Sequence, residues 1–547
     1  MDAAKQIFAD GMARFPGDAS LANSAANLAM RLGDFELAER QFSQASMLDL
    51  GNLEFTLNRA IALARLGHHG QAISVLRPVE EEGWNDPKYC SARGAAERAL
   101  GNLALAAKWY DRAIVLEPGH ARALHGRARV SIEQGDPSAQ QRFDAALAIT
   151  QGDADLWLGK AQALDVAGDA KSAREIAEAL VEQAPHWTEG LRFLAQLKLG
   201  AGETEFAGHY ADAVRRVPQD PNIPFAWIAL LEGNDRSTEA AEIAADARRK
   251  FPQTEPFALM EAVNSGSAGD DDRAEAIFAD LGLGTPDRHL QEARHRIRRG
   301  ELDRAEGLLD LVLAAEAWNI SAFALLGVIW RLKDDDRARG RARWLHDQAG
   351  LVRLLPLIGA DETLPDVASL LRALHDSSAL PLGQSLRGGT QTRGILFDRT
   401  EPVLSELRAA LLETIEEYRA GLPATDTAHP LLRHRDEGWK LAGSWSVRLN
   451  GGGDFHTSHI HPQGLVSSAL YLEVPQADNP EAEEGWLEVG RPPPDLRLNL
   501  PPLQTIEPKP GHLALFPSTL YHGTRPFSAG RRMTVAFDVT LSESELK

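Results

Sequence analysis

Apolar residues recur at helical spacing through roughly the first 340 positions of the chain. One stretch that shows the pattern carries Leu28, Leu32, Leu37 and Phe42, at intervals typical of amphipathic helices. From about Trp439 the pattern changes to short runs in which apolar and polar residues alternate, separated by Gly, Pro, Asn and Asp. The sequence therefore predicts a helical amino-terminal part and a β-rich carboxy-terminal part.

The helical part repeats itself. Glycines recur at steps of 33 or 34 residues and then less regularly, at positions 33, 67, 101, 135, 168, 202, 233, 269 and 300. Seven positions before each glycine stands a small residue: Ala26, Ala60, Gly94, Ala128, Ala161, Ala195, Ala226, Ala262 and Ala293. We interpret each unit as two helices joined by a turn in which glycine adopts a positive φ, with small residues where the helices approach closely. Prolines at 16, 118, 185, 218 and 252 are predicted to end second helices. Because such a unit cannot bury its apolar face alone, the units must stack.

The predicted fold is multidomain. Residues 1–340 form an all-α repeat array, residues 341–437 a helical connector and entry segment, and residues 438–547 an all-β module. Within the connector, the stretches 351–358 and 364–375 are predicted to be helical.

Composition narrows the classes of function. The chain has 547 residues and a net charge of −20, which disfavours binding to nucleic acids and to anionic membranes. An acidic surface either favours basic partners or only confers solubility. A single cysteine, Cys90, excludes an intramolecular disulfide and indicates a reducing compartment. The sequence shows no signal peptide, and no apolar run approaches the ~18 residues of a membrane span. We therefore expect a cytoplasmic protein.

A pair of histidines is the leading candidate for chemistry. His459 and His461 follow a glycine triplet at 451–453 and lie in a segment predicted to be extended. Side chains alternate along a strand, so the two imidazoles share one face and form the start of a metal site. His456 is three positions from His459 and therefore off that face, so we expect it to contact the surroundings of the metal or the substrate.

The repeat pattern resembles the tetratricopeptide repeat, with about nine units and a tenth around Gly327 in which Asp334 replaces the turn glycine. This resemblance implies a superhelical groove that holds a protein or peptide partner. The alternative is that the array only positions the rest of the chain or mediates self-association.

Further along the chain, His522 follows a predicted strand, and Arg532 opens the last strand ten residues later. This order resembles the double-stranded β-helix (jelly-roll) of the Fe(II)- and 2-oxoglutarate-dependent oxygenases. A closer resemblance is to a bacterial group of such oxygenases fused to tetratricopeptide repeats. The segments that carry it are 384–392, 443–449, 459–463, 467–469, 516–518, 522–524 and 532–538.

The resemblance implies an Fe(II) site formed by His459, His461 and His522, with 2-oxoglutarate and O2 as co-substrates. It also implies that Arg532 pairs with the far carboxylate of 2-oxoglutarate, because a guanidinium matches a carboxylate with two hydrogen bonds. Arg531, the adjacent arginine, should point to the opposite face.

Arg448 and Asn450 share one face of the strand before the histidines. They are candidates for the co-substrate pocket, although both could equally be ordinary strand residues.

The sequence departs from the oxygenase pattern at His461, which stands where the family carries an aspartate or glutamate ligand. Either three imidazoles bind the metal, or His461 does not bind and water or Asp454 completes a two-histidine site. The group that the chain resembles shares this histidine.

The resemblance as a whole implies a dioxygenase that hydroxylates a C–H bond, and the fused repeats suggest a protein or peptide side chain as its substrate. One alternative is a non-catalytic scaffold with a degenerate β-domain. Another is a three-histidine metalloenzyme of the cupin type, although the glutamate that follows the histidine pair in cupins is missing.

Overall fold

The computed structural model describes residues 2–359, 362–475 and 482–542. The chain divides into two compact units. The first comprises Met1–Ala167 with Asp398–Thr400, and the second comprises Gly168–Phe397 with Glu401–Lys547.

Helices form the main part of the first unit. Its described residues contain α1 (Asp2–Arg14), α2 (Ala19–Arg31), α3 (Phe35–Leu48), α4 (Leu53–Arg65), α5 (His69–Leu76), α6 (Glu80–Gly83), α7 (Pro87–Ala99), α8 (Leu103–Leu116), α9 (Ala121–Glu133), α10 (Ala139–Ile149) and α11 (Ala154–Val166). Consecutive helices pack in pairs, such as α2 with α3 and α7 with α8. Asp and Asn begin several of them, because their side-chain oxygens accept hydrogen bonds from backbone N–H groups of the first turn, as Asp34 does from Leu37.

Helices also form the first half of the second unit. They are α12 (Ala170–Gln183), α13 (Thr188–Gly200), α14 (His209–Arg216), α15 (Asn222–Glu232), α16 (Ser237–Lys250), α17 (Pro256–Ala268), α18 (Asp271–Asp280), α19 (Pro286–Arg298), α20 (Leu302–Ala315), α21 (Ile320–Leu332), α22 (Asp336–His346), α23 (Leu364–Asp376) and α24 (Pro402–Ala420). The helices α1, α8, α12, α14 and α16 each end two residues before one of the predicted prolines, since the residue before proline disfavours helical backbone.

The turn glycines behave as predicted with one exception. Eight of the nine have a positive φ, for example +77° at Gly33 and +88° at Gly168. Gly233 has a φ of −66°, and Asp235 takes the left-handed conformation at +59° instead. The turn of the tenth helix pair, between α21 and α22, contains no left-handed residue. Lys333, which follows α21, has an extended backbone. The prediction for Gly233 was therefore wrong, although the helix pair it joins is present.

Eleven strands lie in the described residues of the second unit. They are β1 (Arg353–Pro356), β2 (Leu386–Arg387), β3 (Thr390–Gln391), β4 (Trp439–Asn450), β5 (Phe455–His456), β6 (Val466–Glu473), β7 (Leu487–Val489), β8 (Gln504–Ile506), β9 (His512–Pro517), β10 (His522–Thr524) and β11 (Arg531–Leu541). They form a sheet in the order β1-β9-β6-β11-β4-β3, a second in the order β10-β7-β8, and the pair β2-β5. All strand pairings within these sheets are antiparallel. We refer to these strands and the loops between them as the β domain.

The predicted fold class, helical repeats followed by an antiparallel β module with flanking helices, is confirmed. One local prediction was wrong: the stretch 351–358, predicted as helix, contains strand β1 at the edge of the large sheet. Its apolar run is too short to separate a buried strand from a helix by periodicity alone.

One face of the large sheet is covered by α23 and α24. Met533, Val535, Phe537 and Val539 of β11 point into this core and are almost fully buried. Because side chains alternate along a strand, the even-numbered residues of β11 lie on the opposite face. That face forms a wall of the cavity described next.

Candidate metal centre

Three histidines of the β domain come together as the sequence predicts. Ligand nitrogens of His459, His461 and His522 lie within 4.8 Å of one another. Among the described residues, these three histidines form the cluster that could hold a metal ion. Backbone hydrogen bonds fix two of these residues to each other. The N–H of His459 donates to the carbonyl of His522 at 3.0 Å, and the N–H of His522 donates to the carbonyl of His459 at 2.9 Å. The distant histidine is thus held beside the pair by the chain itself.

The tautomers of His459 and His522 follow from their neighbours. Nδ1 of His459 lies 2.9 Å from the carbonyl oxygen of Thr457, and Nδ1 of His522 lies 3.1 Å from that of Leu520. A carbonyl oxygen only accepts, so each Nδ1 carries the proton. The lone pair of each neutral ring is therefore on Nε2, where it is free to bind a metal.

His461 is held in the same way by a carboxylate. Its Nδ1 lies 2.5 Å from Oδ1 of Asp538, and its Nε2 lies 3.1 Å from Nε2 of His459. Two adjacent nitrogens bound to one metal at ~2.1 Å in cis positions would be separated by about 3 Å. The donor set and its spacing therefore fit a divalent metal ion.

Burial keeps the imidazoles of His459 and His522 neutral. Desolvation, followed by the neighbouring His461, lowers the pKa of His459 to about 3. Desolvation and the neighbouring histidines hold the pKa of His522 well below its usual range. The neutral form is the one that binds metals, so these two rings can bind a cation at physiological pH.

A cavity of about 290 Å³ adjoins the three histidines and lies between the sheets. Its walls come from β3, β4, β6, β9 and β11 of the large sheet, from β5, β7 and β10, and from the loop before β2. Val447, Leu487 and Phe516 give it apolar walls. A cavity of this kind suits a small molecule held by a few polar groups.

Arg532 supplies a positive charge to this cavity. It is 2% exposed, and its Cζ lies 5.2 Å from the centre of the Tyr471 ring. Its Nε has no hydrogen-bond partner, and none of the ion pairs among the described residues includes it. Burial lowers the pKa of Arg532, and Tyr471 opposes that change. A buried guanidinium without a carboxylate partner is costly, so this arginine fits an anionic ligand.

Two other predicted co-substrate residues lie elsewhere. Arg448 pairs with Asp376 at 2.9 Å and donates to the carbonyl of His375 at 3.1 Å. Asn450 is exposed at the end of β4. Neither lines the cavity, because the residues of β4 that do are the odd-numbered Trp445 and Val447. Because side chains alternate along β4, Arg448 and Asn450 lie on the face away from the cavity. This corrects the expectation that they line the co-substrate pocket.

Two further candidates have other surroundings. Arg531 is exposed, next to the buried Arg532, as expected for the opposite face of β11. Asp454 accepts a hydrogen bond from the backbone N–H of Asn450 at 2.9 Å and so closes the glycine turn. It is not among the residues that line the cavity or in the histidine group.

His456 lies inside the cavity wall beside the metal candidates. Its Nδ1 is 3.2 Å from the hydroxyl of Ser385, and the same hydroxyl is 3.3 Å from Nε2 of His459. Ser385 therefore lies between the rings of His456 and His459. Sequence reasoning missed Ser385, which reaches the site through the pairing of β2 with β5.

Helices of the second unit hold the loop that carries Ser385. We call residues 379–387 the strap. The side chain of Gln196 in α13 donates to the carbonyl of Leu380 at 2.9 Å and accepts from the N–H of Leu382 at 2.7 Å. Asp235 pairs with Arg387 at 2.5 Å. The later repeats therefore support one wall of the cavity.

Comparison with known protein families agrees with this architecture. The family described as "Putative 2OG-Fe(II) oxygenase" matches residues 443–538, and the family described as "Tetratricopeptide repeat" matches residues 137–197. Two segments of the chain thus match these families, one in the helical repeats and one in the β domain. The matched part of the β domain contains all three histidines and Arg532.

Solved structures similar to the chain are tetratricopeptide-repeat proteins. One from Parabacteroides merdae is 16% identical, with 54% of this chain and 98% of that chain covered and a TM-score of 0.31. YrrB, described as "a TPR protein with an unusual peptide-binding site", is 17% identical, with 34% and 96% covered and a TM-score of 0.29. Scores at this level do not establish a shared overall arrangement. None of the curated proteins with which the chain was compared matches it.

Within the part of the chain that the structure describes, no helix combines the length and the apolar character needed to cross a membrane.

Proposed function

We propose that the chain is an Fe(II)- and 2-oxoglutarate-dependent dioxygenase that hydroxylates a C–H bond of a protein or peptide side chain. One observation carries the proposal: three imidazoles with converging lone pairs adjoin a cavity that also contains a buried arginine without a carboxylate partner. A metal and a small dianion satisfy both features together. The oxygenase family match over residues 443–538 supports the same conclusion.

Each part of the site has a task in this reaction. Nε2 of His459, His461 and His522 would hold Fe(II), and the fork of Arg532 would bind the far carboxylate of 2-oxoglutarate with two hydrogen bonds. The metal, 2-oxoglutarate and O2 together supply the oxidation, in which one oxygen atom enters the substrate C–H bond and 2-oxoglutarate becomes succinate and CO2. Val447, Leu487 and Phe516 limit the access of water to the bound co-substrate.

Adjacent arginines provide a matched test. Arg532→Ala should raise the concentration of 2-oxoglutarate needed for half-maximal succinate release by about 30-fold or more, since loss of a buried partner of a charge costs about 2–5 kcal/mol. Arg531→Ala, a change of the exposed neighbour, should leave that concentration unchanged. Fe(II) affinity in the absence of 2-oxoglutarate should be the same in both variants.

The proposal fails if the wild-type protein binds no iron and releases no succinate from 2-oxoglutarate, even without substrate. That result would favour the scaffold with a degenerate β-domain. If the protein binds a metal but neither binds nor converts 2-oxoglutarate, that result would instead favour a three-histidine enzyme of another kind.

The first unit offers a place for the substrate protein. A second cavity, which we call the repeat cavity, has a volume of about 1050 Å³ and is lined by residues between Leu57 and Asp155. Its charged lining residues are Arg65, Lys88, Arg98, Arg122 and Arg129, against Glu117 and Asp155. Their balance is positive, although the whole chain carries a net charge of −20. An acidic segment of a substrate protein therefore fits this surface better than the basic partner that the net charge favours.

Three of these cations remain available for a partner. Arg65, Lys88 and Arg122 are exposed, and none of the ion pairs among the described residues includes them. Arg98, in contrast, already pairs with Glu133. Fluorescence anisotropy with labelled acidic and basic peptides of equal length, on metal-free protein, tests the idea. Tighter binding of the acidic peptide supports it, and equal binding of both peptides excludes recognition by charge.

A further inference from the structure

The oxygen atoms that accept hydrogen bonds from Nδ1 of the three histidines differ in charge. Behind His459 and His522 they are neutral backbone carbonyls, those of Thr457 and Leu520. The acceptor behind His461 is the carboxylate of Asp538, and it is closer to its ring than either carbonyl. The histidine at the position where the oxygenase family carries an acidic ligand is thus the one that has an acidic residue behind it.

The position of Asp538 follows from the alternation of β11. Arg532, Thr534 and Ala536 line the cavity, and Asp538 is the next residue on the same face. The pairing of β11 with β4 shifts by one residue between Ala536 and Asp538, where Gly443 of β4 has a φ of +63°. Because the extra residue lies in β4, the alternation of β11 continues unbroken, and the Asp538 carboxylate reaches His461.

We propose that Asp538 is a positioning residue that supplies, through His461, the negative charge that a carboxylate ligand would supply directly. The proposal rests on the metal centre of the proposed function. Asp538 fixes the tautomer of His461, sets the orientation of its ring and makes Nε2 a stronger donor. The three-histidine centre thereby has the net charge of two imidazoles and one carboxylate, with the charge one ring further from the metal.

The carboxylate has little freedom to serve another purpose. Asp538 and His461 are both only partly exposed, with 18% and 16% of their side-chain surfaces accessible. A Cβ on Gly464 would lie 3.4 Å from both Cβ and Cγ of Asp538, so the turn after His461 packs closely on this side chain. Among the described residues, Asp538 forms its ion pair with His461.

Metal affinity tests the proposal without turnover. In anaerobic competition titrations with Fe(II) and Co(II), Asp538→Ala should weaken binding by about 10–100-fold, the usual cost of losing the partner behind a ligating histidine. Asp538→Asn keeps an acceptor for Nδ1 of His461 but removes the negative charge. Its metal affinity should therefore fall between those of the wild type and of Asp538→Ala. Asp436→Asn, a change of an exposed carboxylate in the same unit, is the control and should bind as wild type does.

A double-mutant cycle separates this role from a general effect on folding. Once His461→Ala has removed the ring, Asp538→Ala should cause no further loss of metal affinity. The Co(II) absorption spectrum, which reports coordination number, should change in the same direction in Asp538→Ala and His461→Ala. Thermal unfolding of the metal-free variants checks that each is folded.

Two results would overturn the inference. Wild-type affinity in Asp538→Ala would show that the carboxylate does not act on the metal, and an equal loss with and without His461 would show that it does not act through this ring. If the wild-type protein itself binds no Fe(II) or Co(II), the metal centre fails, and the role of Asp538 fails with it. The wild-type titration therefore distinguishes the failure of the proposed function from the failure of this inference.

Discussion

In the cavity of the β domain, His522 and Arg532 are buried, His459 and His461 are partly buried, and most of the polar side chains are held by another group. His459, His461 and His522 each have an oxygen acceptor behind them, and Arg532 lies against Tyr471. The repeat cavity differs in this respect. Its cations Arg65, Lys88 and Arg122 reach solvent and have no ion-pair partner among the described residues.

The difference shows what each cavity can recognise. Groups fixed by burial and hydrogen bonds bind a small ligand of one geometry with little loss of entropy. Long exposed side chains adapt to an extended partner, and each contributes little on its own. A substitution in the first cavity should therefore have a large and specific effect, whereas one in the second should have a small and salt-dependent effect.

The largest effect is expected from His522→Ala. It removes one of three converging nitrogens and should reduce Fe(II) affinity by more than the ~10–100-fold that loss of an outer partner costs. Binding of acidic peptide to the repeat cavity should not change. Isothermal titration of metal and peptide measures both. His512→Ala on the neighbouring strand is the control, and an equal loss of metal in both variants would contradict the assignment.

Acid should also affect the buried groups strongly. His375 is buried between the hydroxyls of Thr390 and Ser446, and desolvation, together with Arg448, lowers its pKa to about 4. The unfolded chain binds this proton near pH ~6.5 and the native state only near pH 4, so the free energy of unfolding falls as the pH drops between these values. The loss attributable to His375 is on the order of 3 kcal/mol.

Urea unfolding at pH 7 and pH 4.5 measures this loss. In His375→Gln the difference between the two pH values should shrink, whereas His186→Gln, at an exposed position, should behave as wild type does. An unchanged pH dependence in His375→Gln would show that other groups cause the acid sensitivity.

Charge reversal in the repeat cavity should have a smaller effect. Lys88→Glu combined with Arg122→Glu should weaken the binding of an acidic peptide by about tenfold at low salt, because an exposed ion pair contributes at most about 1 kcal/mol. The loss should shrink as salt is added. Arg31→Glu, outside the cavity lining, is the control. Anisotropy titrations check this, and equal binding by the double variant would remove the repeat cavity from consideration.

Most of the fold could be predicted from the sequence because its signals are local. Glycine, small residues and proline mark each helix pair within about 34 positions, and the alternation of β4, β6 and β11 is visible in short windows. Prediction was wrong where local signals are weak. The stretch 351–358 could have been helix or strand, and at Gly233 the left-handed backbone moved to Asp235.

The candidate site was only partly predictable. The spacing of His459, His461, His522 and Arg532 matches a family pattern, whereas Ser385 and Asp538 reach the site through strand pairing between distant segments. The alternation of β11 would have indicated Asp538, which lies six residues after Arg532 on the same face. No comparable signal exists for Gln196, which is 184 positions from the backbone it holds.

The smallest effect on ligand binding is expected from a change of Gln196, which tests whether the later repeats hold the strap. Gln196→Ala leaves the carbonyl of Leu380 and the N–H of Leu382 without their partner, at a local cost of about 1–3 kcal/mol. Hydrogen exchange in the strap should therefore quicken by about tenfold or more, while metal affinity stays nearly constant. Gln253→Ala, at an exposed position, should leave the strap as it is. If exchange in the strap is the same in both variants, Gln196 does not hold it, although removal of residues 1–340 would still break the contacts of Arg294 and Arg331 with the β domain. If exchange quickens only in Gln196→Ala, such a truncation would alter the wall of the metal cavity as well, and only point substitutions in the repeat cavity can separate delivery from chemistry.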